Sequence, residues 1–100
     1  MQRHPMRRVT IVIEALAREA LCRLLTEVGA QGFTIFPVES HGAHAAQPSD
    51  IAEFGTLQCE AVVRPAAAEE LLQRLFREFF PRYAVIAYES EVWVLRPEKF

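Results

Sequence analysis

Within this 100-residue chain, Ser40-His41-Gly42 is the segment best suited to hold an anion. Successive backbone N–H groups can converge there, and glycine lets the backbone approach a phosphate oxygen closely. The same tripeptide also reads as an ordinary turn at a strand end. His41 and His44 stand three apart, with Asp50 and Glu53 downstream. These residue types ligate metals, but here they fall on a loop, and no metal site is expected. A neutral histidine donating to an anion, or titrating near physiological pH, is the simpler use. Arg82, Arg96 and Lys99 could gather around phosphate, bicarbonate or another carboxylate, since arginine suits planar bidentate recognition. Each also reads as a solvated surface cation. Ser40, Ser49 and Ser90 lack the strand–turn–helix setting of a catalytic nucleophile. Glu89 and Glu91 share one face of a strand, where paired carboxylates are ordinarily solvated. No enzymatic signature is legible.

Composition narrows the classes. One hundred residues fit a single domain, 1–100, and a 51% apolar share supplies an ample core. The net charge of -2 gives no reason to expect nucleic acid, and the short cluster Arg3, Arg7, Arg8 reads as solvated. No apolar run approaches roughly 20 residues, so membrane insertion is not expected. No export leader is visible, and a cytoplasmic location is the expectation. Cys22 and Cys59 sit in an apolar helix and an apolar strand and read as buried free thiols.

The elements that must position these side chains follow from periodicity. Val9 to Glu14 alternates as a strand. Leu16, Ala20, Leu24 and Val28 repeat at helical spacing, and Gly29 caps that helix. Phe33 to Val38 is a second strand, with Pro37 confined to its end or to an edge. A polar loop covers about 39–55, with a possible helical turn over Ser49–Phe54; loops this long in small domains are often functional. Leu57 to Val63 is a third strand. Pro65 opens a second helix with the stripe Ala68, Leu72, Leu75 and Phe79, and Pro81 stops it. Tyr83 to Leu95 is a last strand, with a bend expected near Glu89-Ser90-Glu91. The order β-α-β-β-α-β specifies an α+β, ferredoxin-like antiparallel sheet with two helices on one face. Both sheet faces carry apolar residues, so the uncovered face is expected to be buried against other subunits. Trp93 reads as core or subunit interface, and Phe100 as packing on a neighbour.

Gly29-x-x-Gly32-x-Thr34-Ile35-x-x-Val38, followed by Gly42, resembles the PII signal-transduction proteins. Gln58-Cys59-Glu60-Ala61-Val62-Val63 is similar to the family's strand after its T-loop. Ser49-Asp50-Ile51, Tyr83-Ala84-Val85-Ile86-Ala87-Tyr88 and the ending from Glu91 to Phe100 resemble the short PII-like proteins of carbon metabolism, the SbtB and carboxysome-associated branch. The resemblance runs from Val9 to about Leu95. It implies a non-enzymatic homotrimer that binds adenine nucleotides in clefts between subunits and signals through a T-loop, here about 39–55.

The resemblance also implies roles for particular residues. Val12 and Thr34 would line an adenine pocket, and Glu60 and Val62 would make polar and backbone contacts. Ser40, His41 and Gly42 would meet phosphate, Tyr83 and Ala84 would form the facing wall, and Arg96 would supply a phosphate cation. Bicarbonate would be held by Ser40, Gly42, Arg82, Arg96 and Lys99. AMP or ADP with bicarbonate are the implied effectors, with no covalent cofactor. The implied protein target is a bicarbonate transporter or a carboxysome-related protein, in carbon concentration. Several residues depart from other members. No tyrosine lies between Glu39 and Gly55, which excludes uridylylation there. Ala43-His44 and Thr56 replace residues used for magnesium and 2-oxoglutarate. Two other classes compete with this reading. One is a metal-responsive trimer of the CutA kind using His41 and His44. The other is an acylphosphatase-like hydrolase, disfavoured because the chain has no asparagine.

Overall fold

The computed structural model describes residues 1–41 and 55–100. Strand β1 (His4–Glu14) leads through a single 3-10 turn (Ala15–Ala17) into helix α1 (Arg18–Glu27). Strands β2 (Thr34–Val38) and β3 (Thr56–Val63) follow, then helix α2 (Pro65–Arg74) and strand β4 (Val85–Val94). The sheet order is β2-β3-β1-β4, and every pairing is antiparallel. This is the ferredoxin-like arrangement expected from the element order. Among the described residues, the ends of the expected loop, 39–41 and 55, flank the sheet; the expected helical turn at Ser49–Phe54 lies outside them.

The core forms because alternation on the strands meets helical spacing on the helices. Val9, Ile11 and Ile13 of β1 and Cys59, Ala61 and Val63 of β3 are buried on one sheet face. Leu21, Leu24 and Leu25 of α1 and Ala68 and Leu71 of α2 close over them. Along β3 burial alternates at every residue, the period-2 signature of a strand covered on one side. Fully burying side chains such as Leu21 and Leu71 contributes about 2 kcal/mol each.

Local chemistry fixes the ends. α1 stops in a paired-hydrogen-bond cap: Ala30 N–H donates to the Leu25 carbonyl at 3.0 Å and Gly29 N–H to the Thr26 carbonyl at 3.1 Å. Gly29 takes φ +85°, a conformation costly for residues with a Cβ. Pro65 opens α2, where its missing N–H leaves no bond unmade. α2 ends in one wide turn, Leu75–Phe79, in which Phe80 N–H reaches the Leu75 carbonyl at 2.9 Å, five residues back. Pro37 sits on the edge strand β2, where a missing donor is best tolerated.

Several expectations are corrected. β1 begins at His4, so Arg7 and Arg8 belong to the sheet; Arg7 Nε lies 3.6 Å from Glu89 Oε1. β4 runs unbroken, with Ser90 opposite Arg8 and Glu91 opposite Arg7, so no bend interrupts it. Pairing to the long β1 holds it straight. Leu16 is 53% exposed, because the 3-10 turn precedes α1 and takes it off the core stripe. Leu71 occupies the core position expected for Leu72, which is half-buried. Cys59 is buried, and burial pushes its thiol up to about 12; Cys22 is only half-buried. Trp93 is not core: it is 58% exposed, on a part of the β1–β4 ribbon that extends past the end of β3. Phe100 lies against its own chain, where it and Val28, Gly29, Val63 and Ala67 line a hollow of about 270 Å³.

Replacing Gly29 with alanine strains the backbone without a clash, since no atom lies within 4 Å of the added Cβ. The expected loss is about 1 kcal/mol, read as a lower urea midpoint with unchanged slope.

Candidate functional site

The sheet face opposite the helices carries the candidate residues in rows. Thr34, Glu60, Thr10 and Tyr88 are opposite one another across β2, β3, β1 and β4. The next row is Phe36, Gln58, Val12 and Ile86. Val62 follows Glu60 by two positions and shares its face. Thr10 is the buried polar residue among those described, at 2% exposure. Tyr88 is 55% exposed and Ile86 lies at the surface. Four of the expected residues, Val12, Thr34, Glu60 and Val62, therefore lie together on the sheet face opposite the helices.

The remaining candidates are distributed by the topology. Ser40 and His41 follow β2, whose end pairs Val38 with Thr56. Arg82, Tyr83 and Ala84 precede β4 at the same end of the sheet but at its opposite edge. Three strand spacings, about 14 Å, separate those edges. Arg96 and Lys99 follow β4 at the other end, beyond Val94 opposite His4. The ten residues of β4 span roughly 33 Å. One chain thus does not gather Ser40, Arg82, Arg96 and Lys99 around a single anion. Gly42, His44, Asp50 and Glu53 lie outside the described residues.

At the β1 end, the Ala84 N–H donates to Glu14 Oε1 at 2.6 Å, and the Ala15 N–H to the Gly55 carbonyl at 3.0 Å. Gly55 has φ +79°. His41 Nε2 lies 2.9 Å from Glu39 Oε2, both on the surface. Among the described residues, no three of His, Cys, Asp or Glu converge as a metal site would require.

Sequence reasoning missed two polar arrangements. The Arg64 guanidinium donates to the carbonyls of Pro97 at 3.0 Å and Phe100 at 3.2 Å. Gln31 adds a bond to the Phe100 carbonyl at 3.2 Å, so the segment carrying Arg96 and Lys99 is clamped on its own chain. The second arrangement lines a groove of about 260 Å³ between α1 and the end of α2. There Arg74 meets Glu27 at 2.8 Å and grips Glu78 with two bonds of 2.8 and 3.1 Å. Hydrogen bonds from Arg74 hold the Glu78 carboxyl below its usual range. Arg82 stacks over the Tyr83 ring at 5.9 Å. The i, i+4 spacing of Arg74 and Glu78 was available in the sequence; the approach of Glu27 from α1 was not.

The family model for Nitrogen regulatory protein P-II matches residues 6–99. The chain belongs to the P-II family. P-II proteins are regulatory signalling proteins. A PII-like signaling protein from Thermus thermophilus is 39% identical, with a TM-score of 0.83 over 99% of this chain and 98% of that one. CPII from Thiomonas intermedia K12, solved bound to ADP, AMP and acetate, superposes with a TM-score of 0.87 at 23% identity, over 100% of this chain and 98% of that one. The same protein bound to ADP and bicarbonate gives a TM-score of 0.85 at 23% identity, over 99% and 97%. At that identity CPII shares the fold. No curated protein matches the sequence. Among the described residues, no helix of this P-II chain is long and apolar enough to cross a membrane.

Because the folded Glu78 carboxyl is held below its unfolded value, the Arg74 contact stabilises the P-II fold fully above the ordinary carboxylate pKa of about 4.3. That stabilisation is lost as pH falls through the folded value. Glu78→Gln should flatten this part of the acid limb in urea midpoints measured from pH 7 down to pH 3, leaving the Arg74–Glu27 contact in place.

Proposed function

We propose that this P-II chain is a trimeric adenylate sensor, binding ADP or AMP in clefts between subunits with bicarbonate as co-effector. It signals through the 39–55 T-loop to a protein target in inorganic-carbon metabolism, in the cytoplasm. A bicarbonate transporter or a carboxysome-related protein fits that role. The observation that carries this reading is the division of the candidate residues. One edge and the open face present Val12, Thr34, Ser40, His41, Glu60 and Val62, while the opposite edge presents Arg82, Tyr83 and Ala84. Each chain is two half-sites that meet only between copies. The exposed Tyr88 and Ile86 give that face a reason to be covered. The Thiomonas relatives support the ligand class, being bound to ADP, AMP and bicarbonate on the same fold.

In this reading Val12 and Thr34 line the adenine pocket, and Glu60 and Val62 contact the adenosine. Backbone N–H groups of Ser40, His41 and Gly42 meet phosphate, and Tyr83 and Ala84 close the facing side. Arg96, held in place by the Arg64 clamp on its segment, brings a cation from the far end of a neighbouring chain. Arg82 from one copy and Lys99 from another complete the anion site. An anion sharing donors with the phosphates couples the two ligands, and coupling free energy is reciprocal.

Titrating ADP calorimetrically, first without bicarbonate and then with it at millimolar concentration, tests the reading. Binding is expected in both buffers and tighter in the second. Equal affinity would leave a plain adenylate sensor, and absence of binding would overturn the reading. Arg96→Ala should weaken ADP about tenfold or more, the scale of one charge-assisted phosphate contact, with the thermal midpoint retained.

A further inference from the structure

Glu14 ends β1 at the point where the regular β1–β4 ladder stops, at Ile13 opposite Val85. Its carboxylate carries the pairing one residue further. The Ala84 N–H donates to Glu14 Oε1 at 2.6 Å, and the Glu14 N–H points back at the Ala84 carbonyl at 3.4 Å. The next residue, Ala15, donates its N–H to the Gly55 carbonyl at 3.0 Å, and Gly55 leads into β3 in a positive-φ conformation. Two consecutive residues therefore hold Ala84 on one side and Gly55 on the other. Among the described residues, Glu14 is the side chain that hydrogen-bonds the Tyr83–Ala84 backbone. Tyr83 is otherwise held by its own N–H to the Phe79 carbonyl at 2.9 Å and by ring contact with Phe79 at 5.4 Å. Those contacts attach it to the end of α2, and its side chain packs against the core. A short charge-assisted bond to a half-buried carboxylate is a stronger and more directional tie than a neutral one.

We infer that Glu14 is the positioning residue of the nucleotide wall: its carboxylate sets the backbone of Tyr83 and Ala84 against the sheet, in fixed relation to Gly55. The inference rests on the adenylate reading. Glu14 acts through Ala84 and does not itself touch the nucleotide. The requirement is an acceptor of this length at this position, so glutamine should serve and alanine should not.

The test uses the full-length chain with Glu14→Ala and Glu14→Gln. Amide hydrogen exchange at Ala84, followed by NMR, reads the tie directly, and calorimetric titration with ADP reads its consequence. In the wild type and in Glu14→Gln the Ala84 amide should be protected and ADP affinity should agree within about threefold, since the acceptor is kept. In Glu14→Ala the amide should exchange faster and ADP should bind about tenfold more weakly, with other β1 and β4 amides still protected. Wild-type affinity in Glu14→Ala would overturn the inference alone, as would a Glu14→Gln protein as weak as Glu14→Ala. A wild-type protein that does not bind ADP would overturn the adenylate reading and this inference with it.

Discussion

A four-stranded sheet with helices on only one face governs the rest of the molecule. Two helices bury Val9, Ile11, Ile13, Cys59, Ala61 and Val63, and that buried face supplies the core. Among the described residues no helix covers the other face, which carries Val12, Phe36, Ile86 and Tyr88 beside Thr34 and Glu60. A surface that mixes apolar rings with a threonine and a carboxylate is poorly satisfied by water alone. It suits contact with another chain and with a ligand that has both an apolar ring and polar edges. The core and the candidate site thus use opposite faces of the same strands. β1, central in the sheet, serves both: its odd-numbered residues from Val9 to Ile13 fill the core, and Thr10 and Val12 face the other way.

Antiparallel topology then decides where the charged groups end up. Because β4 runs back along β1, the segments before and after it lie about a strand's length apart. Arg82 and Arg96, only fourteen positions apart in sequence, cannot share a ligand within one chain. Arg64 has a part in this. It is the N-cap residue of α2 but makes no side-chain cap, because its guanidinium is committed to the Pro97 and Phe100 carbonyls, which keeps Arg96 and Lys99 on a fixed path.

The helix layer is tied differently. Arg74 is shared between Glu27 and Glu78, joining α1 to the end of α2 at a groove rim, where screening by water keeps the contribution small. The wide turn at Leu75–Phe79 keeps Leu75 and Phe79 in the core while leaving Phe76 and Phe80 outside, with their rings 5.7 Å apart. Pro81 follows immediately, so the helix ends where its last aromatic is anchored.

The order of the elements, the alternation of each strand, the cap at Gly29 and the confinement of Pro37 to a strand end or an edge were legible in the residues alone. Those properties are encoded within a few positions: alternation at two, helical repeats at three and four, and the dihedral demands of single glycines and prolines. Val12, Thr34, Glu60 and Val62 were singled out by the family resemblance, and their common face follows from strand register. Contacts between distant segments emerged only on folding. Glu14 meets Ala84 across 70 residues, and Arg64 meets Phe100 across 36. Whether Trp93 is buried depended on β1 and β4 outrunning β3, and whether Phe100 packs at home depended on the hollow at the end of α1. Periodicity records which way a side chain points. It does not record which segment lies opposite, because that follows from how the whole sheet is threaded and covered.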